Sequence, residues 1–515
     1  MWLRRWPGGV SVQRHPARYA YREHRRLLSC GARFRPGHPR RCAFVTHGFG
    51  SLQDTQAERI DALSLEILQR VGVGVDEALV RSRLAERGAR VDEGAGRVYL
   101  TEDVLRGLLA DAPADVRFGQ RTGDTHTVGA CAGGTVRWPG NALYLVDGAQ
   151  RRTLTADDFA RLTRLVDRLD NVQGMVGVSV GDFEPTVRDF CTLRLMAQHT
   201  GKHLRPVITS LSGVDAVMEM TDVLAAGRDD SPISFGYSVV SPLRWTATAL
   251  QLIQRTSGRG LPFMFNAEPL AGGTSPVTLA GSLAQAHAET LSGIAIGQAL
   301  EPGRPCLYNA GFAHTLDMKS AVALGGSAEV FLMATASADL ARRWSLPCSS
   351  WVSSEGMTED AQAAAEKSMG LTLHTQAGVN LVWGMGQLES QMSISLEQLV
   401  IDDEIAAQVD RLQRGITVDD EHLARQVLLA DPAERGDLLA HEHTLRWFRQ
   451  ELDELPLANR TLRERWEETG SPDLRQRAID RIAELLAEPG ESSLTADEDA
   501  ELLRIEQSFR RQLGG

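Results

Sequence analysis

The chain has 515 residues, 43% hydrophobic and 24% charged, a composition that excludes a disordered or fibrous protein and suits two to four domains or one large barrel with appendages. Its formal net charge of −12 averages two unlike parts: residues 1–42 hold eleven Arg and one acid, Glu23, whereas the remainder holds 44 basic and 66 acidic residues, or −22. An acidic body argues against a nucleic-acid groove or an anionic membrane surface as the main partner.

Residues 1–42 show no sustained periodicity and read as a basic, disordered leader, with folded sequence beginning near Ser51. Ile60, Leu63, Leu65, Ile67 and Leu68 recur at helical spacing up to Gly72. A short strand at Gly72–Val75, a helix at Glu77–Arg87 stopped by Gly88, a strand at Arg97–Leu100 and a Thr101-capped helix at Glu102–Leu109 follow. The interval 51–139 is therefore expected to form an N-terminal α/β cap. From 140 to 394 short apolar runs alternate with amphipathic ones. The strands are expected at Ala142–Val146, Val172–Val180, Leu204–Thr209, Ile233–Val240, Pro262–Asn266, Pro305–Asn309, Pro347–Val352 and Asn380–Gly384. Eight strands separated by helices fit an α/β protein of the (β/α)8 TIM-barrel type, which needs about 250 residues. An open doubly wound sheet is the alternative, but no Gly-rich dinucleotide turn follows a strand. Residues 395–515 turn helical and highly charged and read as a C-terminal helical region.

Only Lys202, Lys319 and Lys367 are lysine, which leaves few candidates for a Schiff base. The six cysteines are widely spaced and include no C-x-x-C pair, so a reducing cytoplasm is the expected compartment. No run approaches the roughly 18 apolar residues of a membrane span, and the N-terminus lacks the apolar core of a secretory signal.

Active sites of (β/α)8 barrels lie at the C-terminal ends of the strands. There the sequence offers Tyr237, Phe265, Asn266, Glu268, Tyr308, His314, Trp351, Trp383 and Gln387. Aromatics are only 6% of the chain yet recur at these ends, and a ring-lined pocket suits a quaternary ammonium. The segment from Glu268 to Thr278 carries Gly272 and Gly273 for close backbone approach, and Ser275 with Pro276 to open the next helix. The N–H groups of that helix start are expected to attract an anion such as a substrate carboxylate, Gly273, Thr274 and Ser275 are expected to bind substrate, and Glu268 is expected to face a cation. No metal site is expected: His441 and His443 do not share a helix face, Cys306 near His314 makes at most part of a zinc set, and no H-E-x-x-H occurs.

Several of these stretches match a known pattern. Glu268–Gly281 (EPLAGGTSPVTLAG), His287–Glu289, Gly303–Pro305, Asp360–Glu366, Asn380–Gly384, Leu399–Asp403, His443-Thr444 and the opening Arg59–Val75 resemble the trimethylamine methyltransferase family over about residues 51–450. The resemblance implies a (β/α)8 enzyme that moves a methyl group from a methylated amine to the cobalt of a separate corrinoid protein, with no tightly bound cofactor of its own. It implies the branch without pyrrolysine, similar to glycine betaine:corrinoid methyltransferases, with a small quaternary or tertiary amine as substrate. Two departures stand out: Trp383 replaces the histidine expected in Asn-x-x-His-Gly, and Ser349–Thr358 differs from the Ser-Asp-rich stretch expected there. Glu268 and Trp383 are therefore the expected catalytic pair, with Trp383 joining a cation cage. A non-catalytic quaternary-ammonium scaffold and a barrel enzyme of different amine chemistry are the alternative readings. The expected partners are the amine and the corrinoid protein, with a homo-oligomer left open, and no nucleic acid or membrane.

Overall fold

The computed structural model describes residues 52–129, 134–311, 314–432, 436–488, 490 and 492–514, so the basic leader read at 1–42 lies outside the described residues. The first helix, Asp54–Arg70, ends where Gly72 takes φ +70°. Ala78–Glu86 and Glu102–Leu109 follow, the latter capped by Thr101, whose hydroxyl accepts from Val104 N. These helices lie on Leu279–Leu300, in which residues 282–298 are all buried. A helix apolar on every face has to be enclosed on every face. The enclosure is fixed by Ser64 Oγ donating to Ala284 O at 2.8 Å and by His287, whose Nε2 lies 3.0 Å from Asp61 Oδ1 and whose Nδ1 lies 2.7 Å from the Tyr308 hydroxyl.

Six parallel strands pair in the order Phe235–Ser238, Phe263–Asn266, Cys306–Gly311, Cys348–Trp351, Leu381–Met385 and Val136–Pro139. Gly174–Val176 and His203–Arg205 form a separate parallel pair. At its two margins, Leu204 bridges Ile233 in parallel and Gln173 N donates to Arg137 O at 2.9 Å. The strand expected at Ala142–Val146 is a correction. The member of the parallel sheet is Val136–Pro139, whereas Tyr144–Asp147 joins a four-stranded sheet with Gln150–Thr153, Ser393–Ile394 and Gln387–Leu388. Arg137 disguised the true strand. Its side chain is 1% exposed and leaves the sheet on the helical side, where Asp410 receives it at 3.0 and 2.5 Å.

Alternation along each strand sorts side chains into two buried layers. Met175, Leu204, Phe235, Phe263, Phe265, Tyr308 and Val382 join the large core shared with the helices. Val136, Trp138, Val176, Met264, Leu307, Trp351, Leu381 and Trp383 form a second core on the inner face. The hairpin of Asp115–Gly119 and Thr125–Gly129 contributes Val116, Phe118 and Val128 to the inner core, with Phe118 4.8 Å from the His203 ring and 5.0 Å from Trp138. The helices expected after Ser395 are present at Leu396–Arg414, Arg425–Leu429, Glu442–Glu451 and Leu474–Leu485. A further one, Ala496–Leu513, lies on Arg188–His199 and Val214–Ala225.

Two buried histidines make stability depend on pH. His203 Nδ1 donates to Gly119 O and His374 Nδ1 to Gly370 O, while each Nε2 faces a serine hydroxyl. Burial pushes the first down to about 3 and the second to about 4. These native values lie below the ordinary 6.5, so the unfolded chain takes up protons that the folded chain refuses. Stability is therefore complete above pH 6.5 and falls as the pH drops. The two together should cost about 2 kcal/mol between pH 6.5 and 5.5. Urea unfolding at the two pH values checks this, and equal stability would contradict it.

Candidate functional site

The C-terminal ends of the parallel strands carry one connected group of inner-face side chains. Trp351 and Trp383, register partners on adjacent strands, stack with ring centroids 5.4 Å apart at 19°. Trp138 meets Trp383 edge-on at 5.2 Å. Trp351 Nε1 donates to Gln387 Oε1 at 2.5 Å, and Gln387 Nε2 donates to the carbonyls of Asn141 and Gln391. Gln387 lies where a side chain at 140 would be: a Cβ on Gly140 would come 2.0 Å from its Cδ. Gln391 turns back to His314, its Nε2 3.1 Å from the imidazole Nε2. His314 Nδ1 faces Leu324 O at 3.1 Å, and a carbonyl only accepts, so Nδ1 carries the proton and Nε2 accepts from the Gln391 amide. Burial holds His314 below its usual pKa, while the charge of Glu268 pulls it up. Glu268 Oε1 itself accepts from Ser238 Oγ at 2.5 Å. On the neighbouring strands Asn309 Nδ2 donates to Asn266 Oδ1 at 3.0 Å.

Glu268, His314, Gln387, Trp351 and Trp383, all expected at the site, are thus joined through one residue that was not expected, Gln391. Its backbone takes φ +80°, after Glu389 and Ser390 at +51° each. Three successive non-glycine residues in the left-handed region cost about 1–3 kcal/mol each. The run is held by Glu389 N donating to Gly356 O and Ser390 N to Ser354 O. The strain aims Gln391 at His314.

Other expected residues fall elsewhere. Phe265 and Tyr308 are a correction: alternation turns them out of the inner face, toward the Leu279–Leu300 helix. There a Cβ on Gly297 would come 2.6 Å from the Phe265 ring, and the Tyr308 hydroxyl is taken by His287. Tyr237 lies beside them on the outer core, half-buried, its hydroxyl pKa pushed up by burial and by Asp189. Gly273, Thr274 and Ser275 are also corrected. Their N–H groups all donate to Leu270 O, at 2.9, 2.9 and 3.0 Å, and so are spent on their own turn. The helix opens at Leu279 with Thr278 before it, and Ser275 Oγ instead meets Ser282 Oγ at 2.7 Å. The Leu270–Ala271 strand, paired with His314–Leu316, pulls the chain away from the helix start.

Arg205 joins the site without having been expected there. Its guanidinium is buried on the inner face, 5.6 Å from the Trp383 ring centroid, and donates to Pro206 O and to Gly236 O, the latter at 2.8 Å. Burial lowers its pKa to about 9. An arginine inside the apolar run Leu204–Thr209 was the available signal. The protein's own cation therefore occupies the ring face that was expected to cage a substrate ammonium. Cys306 and His314 do not meet: the thiol contacts Gln298 and Arg304 O.

A family model described as trimethylamine methyltransferase (MTTB) matches residues 32–512. The chain belongs to the trimethylamine methyltransferase family. The match runs further at both ends than the 51–450 over which the motifs are legible. Among curated members, a trimethylamine methyltransferase of Desulfitobacterium hafniense strain DCB-2 is 27% identical over 450 residues, covering 85% of this chain and 90% of that protein. A glycine betaine methyltransferase of D. hafniense strain Y51 is 27% identical over 479 residues, covering 90% and 97%. The solved monomethylamine methyltransferase of Methanosarcina barkeri superimposes with a TM-score of 0.51 at 15% identity, over 85% of this chain and 89% of that one, a likeness of fold. By this membership the chain is a methyltransferase. In this member of the trimethylamine methyltransferase family no described helix is long and apolar enough to cross a membrane.

Proposed function

We propose that this chain moves a methyl group from a quaternary, or tertiary, methylamine to the Co(I) centre of a separate corrinoid protein, at the C-terminal ends of eight strands closed into a (β/α)8 barrel. Membership of the trimethylamine methyltransferase family carries the reading. The bridge Leu204–Ile233 and the Gln173–Arg137 hydrogen bond support closure, since they join the strand pair to both edges of the six-stranded sheet. Co(I) demands a reducing compartment, which the free thiols of Cys191, Cys306 and Cys348 suit, so the cytoplasm is the proposed location.

The transfer is a displacement at carbon. The Co(I) electron pair forms the Co–CH3 bond as the C–N bond breaks, and the pair of that bond stays on nitrogen. A quaternary nitrogen leaves as a neutral tertiary amine, so no acid is needed; a tertiary amine must react in its protonated form, so that a neutral secondary amine leaves. What remains for the protein is orientation and exclusion of water. The Glu268 carboxylate, held by Ser238, faces the ammonium, and the stacked Trp351 and Trp383 set the wall beside it. Because the positive charge on nitrogen declines as the bond breaks, Glu268 stabilises bound substrate more than transition state. Glu268→Gln should therefore raise KM by about tenfold without lowering kcat. Steady-state formation of the demethylated amine, followed by proton NMR, measures both. A collapse of kcat at unchanged KM would contradict this role.

A further inference from the structure

We propose that Arg205 is the anion anchor of this site, so that the amine it takes is a zwitterion carrying a carboxylate. This deepens, and rests on, the methyl-transfer reading above.

A guanidinium has five N–H donors and a fixed positive charge. In Arg205 the Nε has no partner among the described residues, and no described carboxylate pairs with the side chain. Its bonds to Pro206 O and Gly236 O fix its direction without neutralising it. Most other buried arginines differ in this. Arg137 meets Asp410, and Arg304, with Glu301 3.6 Å away, is enclosed by the carbonyls of Leu261, Ile253 and Thr256. A buried cation left unpaired is costly unless an anion completes it. The fold reserves the place: a Cβ on Gly236 would come 2.9 Å from Arg205 Nη2. Ser349, also on the inner face and 1% exposed, holds a hydroxyl with no partner among the described residues.

The charges are then ordered along one strand. Arg205 binds Gly236 O, and Ser238, which holds Glu268, lies two residues further toward the C-terminal end, about 6.6 Å at the usual strand rise. The carboxylate of the amine lies toward Arg205 and its methylated nitrogen toward Glu268, nearer the open end where the acceptor cobalt must approach. The Trp383 ring, backed by Arg205, then serves as a wall, and Glu268 supplies the attraction for the ammonium.

The test is calorimetric binding to the intact chain. The carboxylated probes are trimethylglycine, carnitine and proline betaine, each compared with choline and tetramethylammonium. Wild type should bind at least one carboxylated amine about tenfold or more tighter than choline. Arg205→Met should remove that preference while leaving choline affinity within about threefold, and Arg205→Lys should restore part of it. Should Arg205→Met fail to fold, the wild-type comparison and Arg205→Lys still decide. Equal affinity for choline in wild type, no binding of any carboxylated probe, or a preference surviving in Arg205→Met overturns the anchor. Methyl transfer assayed in parallel separates the two readings. Turnover of carboxylate-free amines alone overturns the anchor only, whereas carboxylated amines bound through Arg205 without transfer overturn the methyl-transfer reading only.

Discussion

Lys367→Met is expected to destabilise the folded chain by about 3–5 kcal/mol, the usual result of stranding one member of a buried ion pair. Lys367 and Asp402 lie 3.4 Å apart with side chains 1% and 0% exposed. Burial pushes the lysine down and the aspartate up, and each opposes the other's shift by its charge. The ammonium donates to Val352 O at 3.0 Å and to Gly384 O, directly after Trp351 and Trp383 on their strands. Asp402 accepts from Gly386 N and Gln398 Nε2, both at 2.7 Å. The pair thus ties the two tryptophan-bearing strands to the Leu396–Arg414 helix. Gly384 completes the clamp: at φ +100°, a Cβ there would come 2.2 Å from Val352 O. Urea unfolding should show the loss, and adding Asp402→Asn should recover part of it by removing the stranded charge. A loss below about 1 kcal/mol would mean that the pair is not buried as described.

Trp383→Ala is expected to cost about 3–5 kcal/mol, since a large ring leaves a packed core. The ring is 4% exposed, stacked on Trp351, edge-on to Trp138 and backed by Arg205. Trp383→Phe should cost less, about 1–2 kcal/mol, because a smaller ring keeps part of the stack. If the stack forms the wall of the amine site, Trp383→Phe should also slow transfer by about tenfold or more while remaining folded at 25 °C. Thermal unfolding and turnover, measured on the same preparations, test the two effects. Wild-type turnover in Trp383→Phe would place the amine elsewhere.

The strand–helix rhythm was legible because seven of the eight expected strands are short apolar runs that coincide with strands of the parallel sheets. The eighth was not, since Arg137 gave Val136–Pro139 a polar look that only its pairing with Asp410 explains. The ends of the strands were legible, but not the face. Phe265 and Asn266 are adjacent in sequence and point to opposite layers, and nothing in a fully buried parallel strand marks which is which. The turn at 270–275 misled for a related reason. Its glycines and hydroxyls suit an anion site equally well, and the use of its N–H groups on Leu270 O emerges only with the fold. Gln391 was beyond sequence reasoning, because its aim depends on three left-handed residues, none of them glycine. Arg205 was within reach: a lone arginine inside an apolar run asks what charge will face it.

Methyl transfer is measured directly by the absorption spectrum of cob(I)alamin under strict reduction, mixed with the intact chain and a panel of quaternary and tertiary methylamines. The Co(I) spectrum should give way to that of methylcobalamin with a carboxylated amine, in step with release of the demethylated product, and not when amine or protein is omitted. Persistence of the Co(I) spectrum with every amine, offered free or on a corrinoid protein, would contradict it.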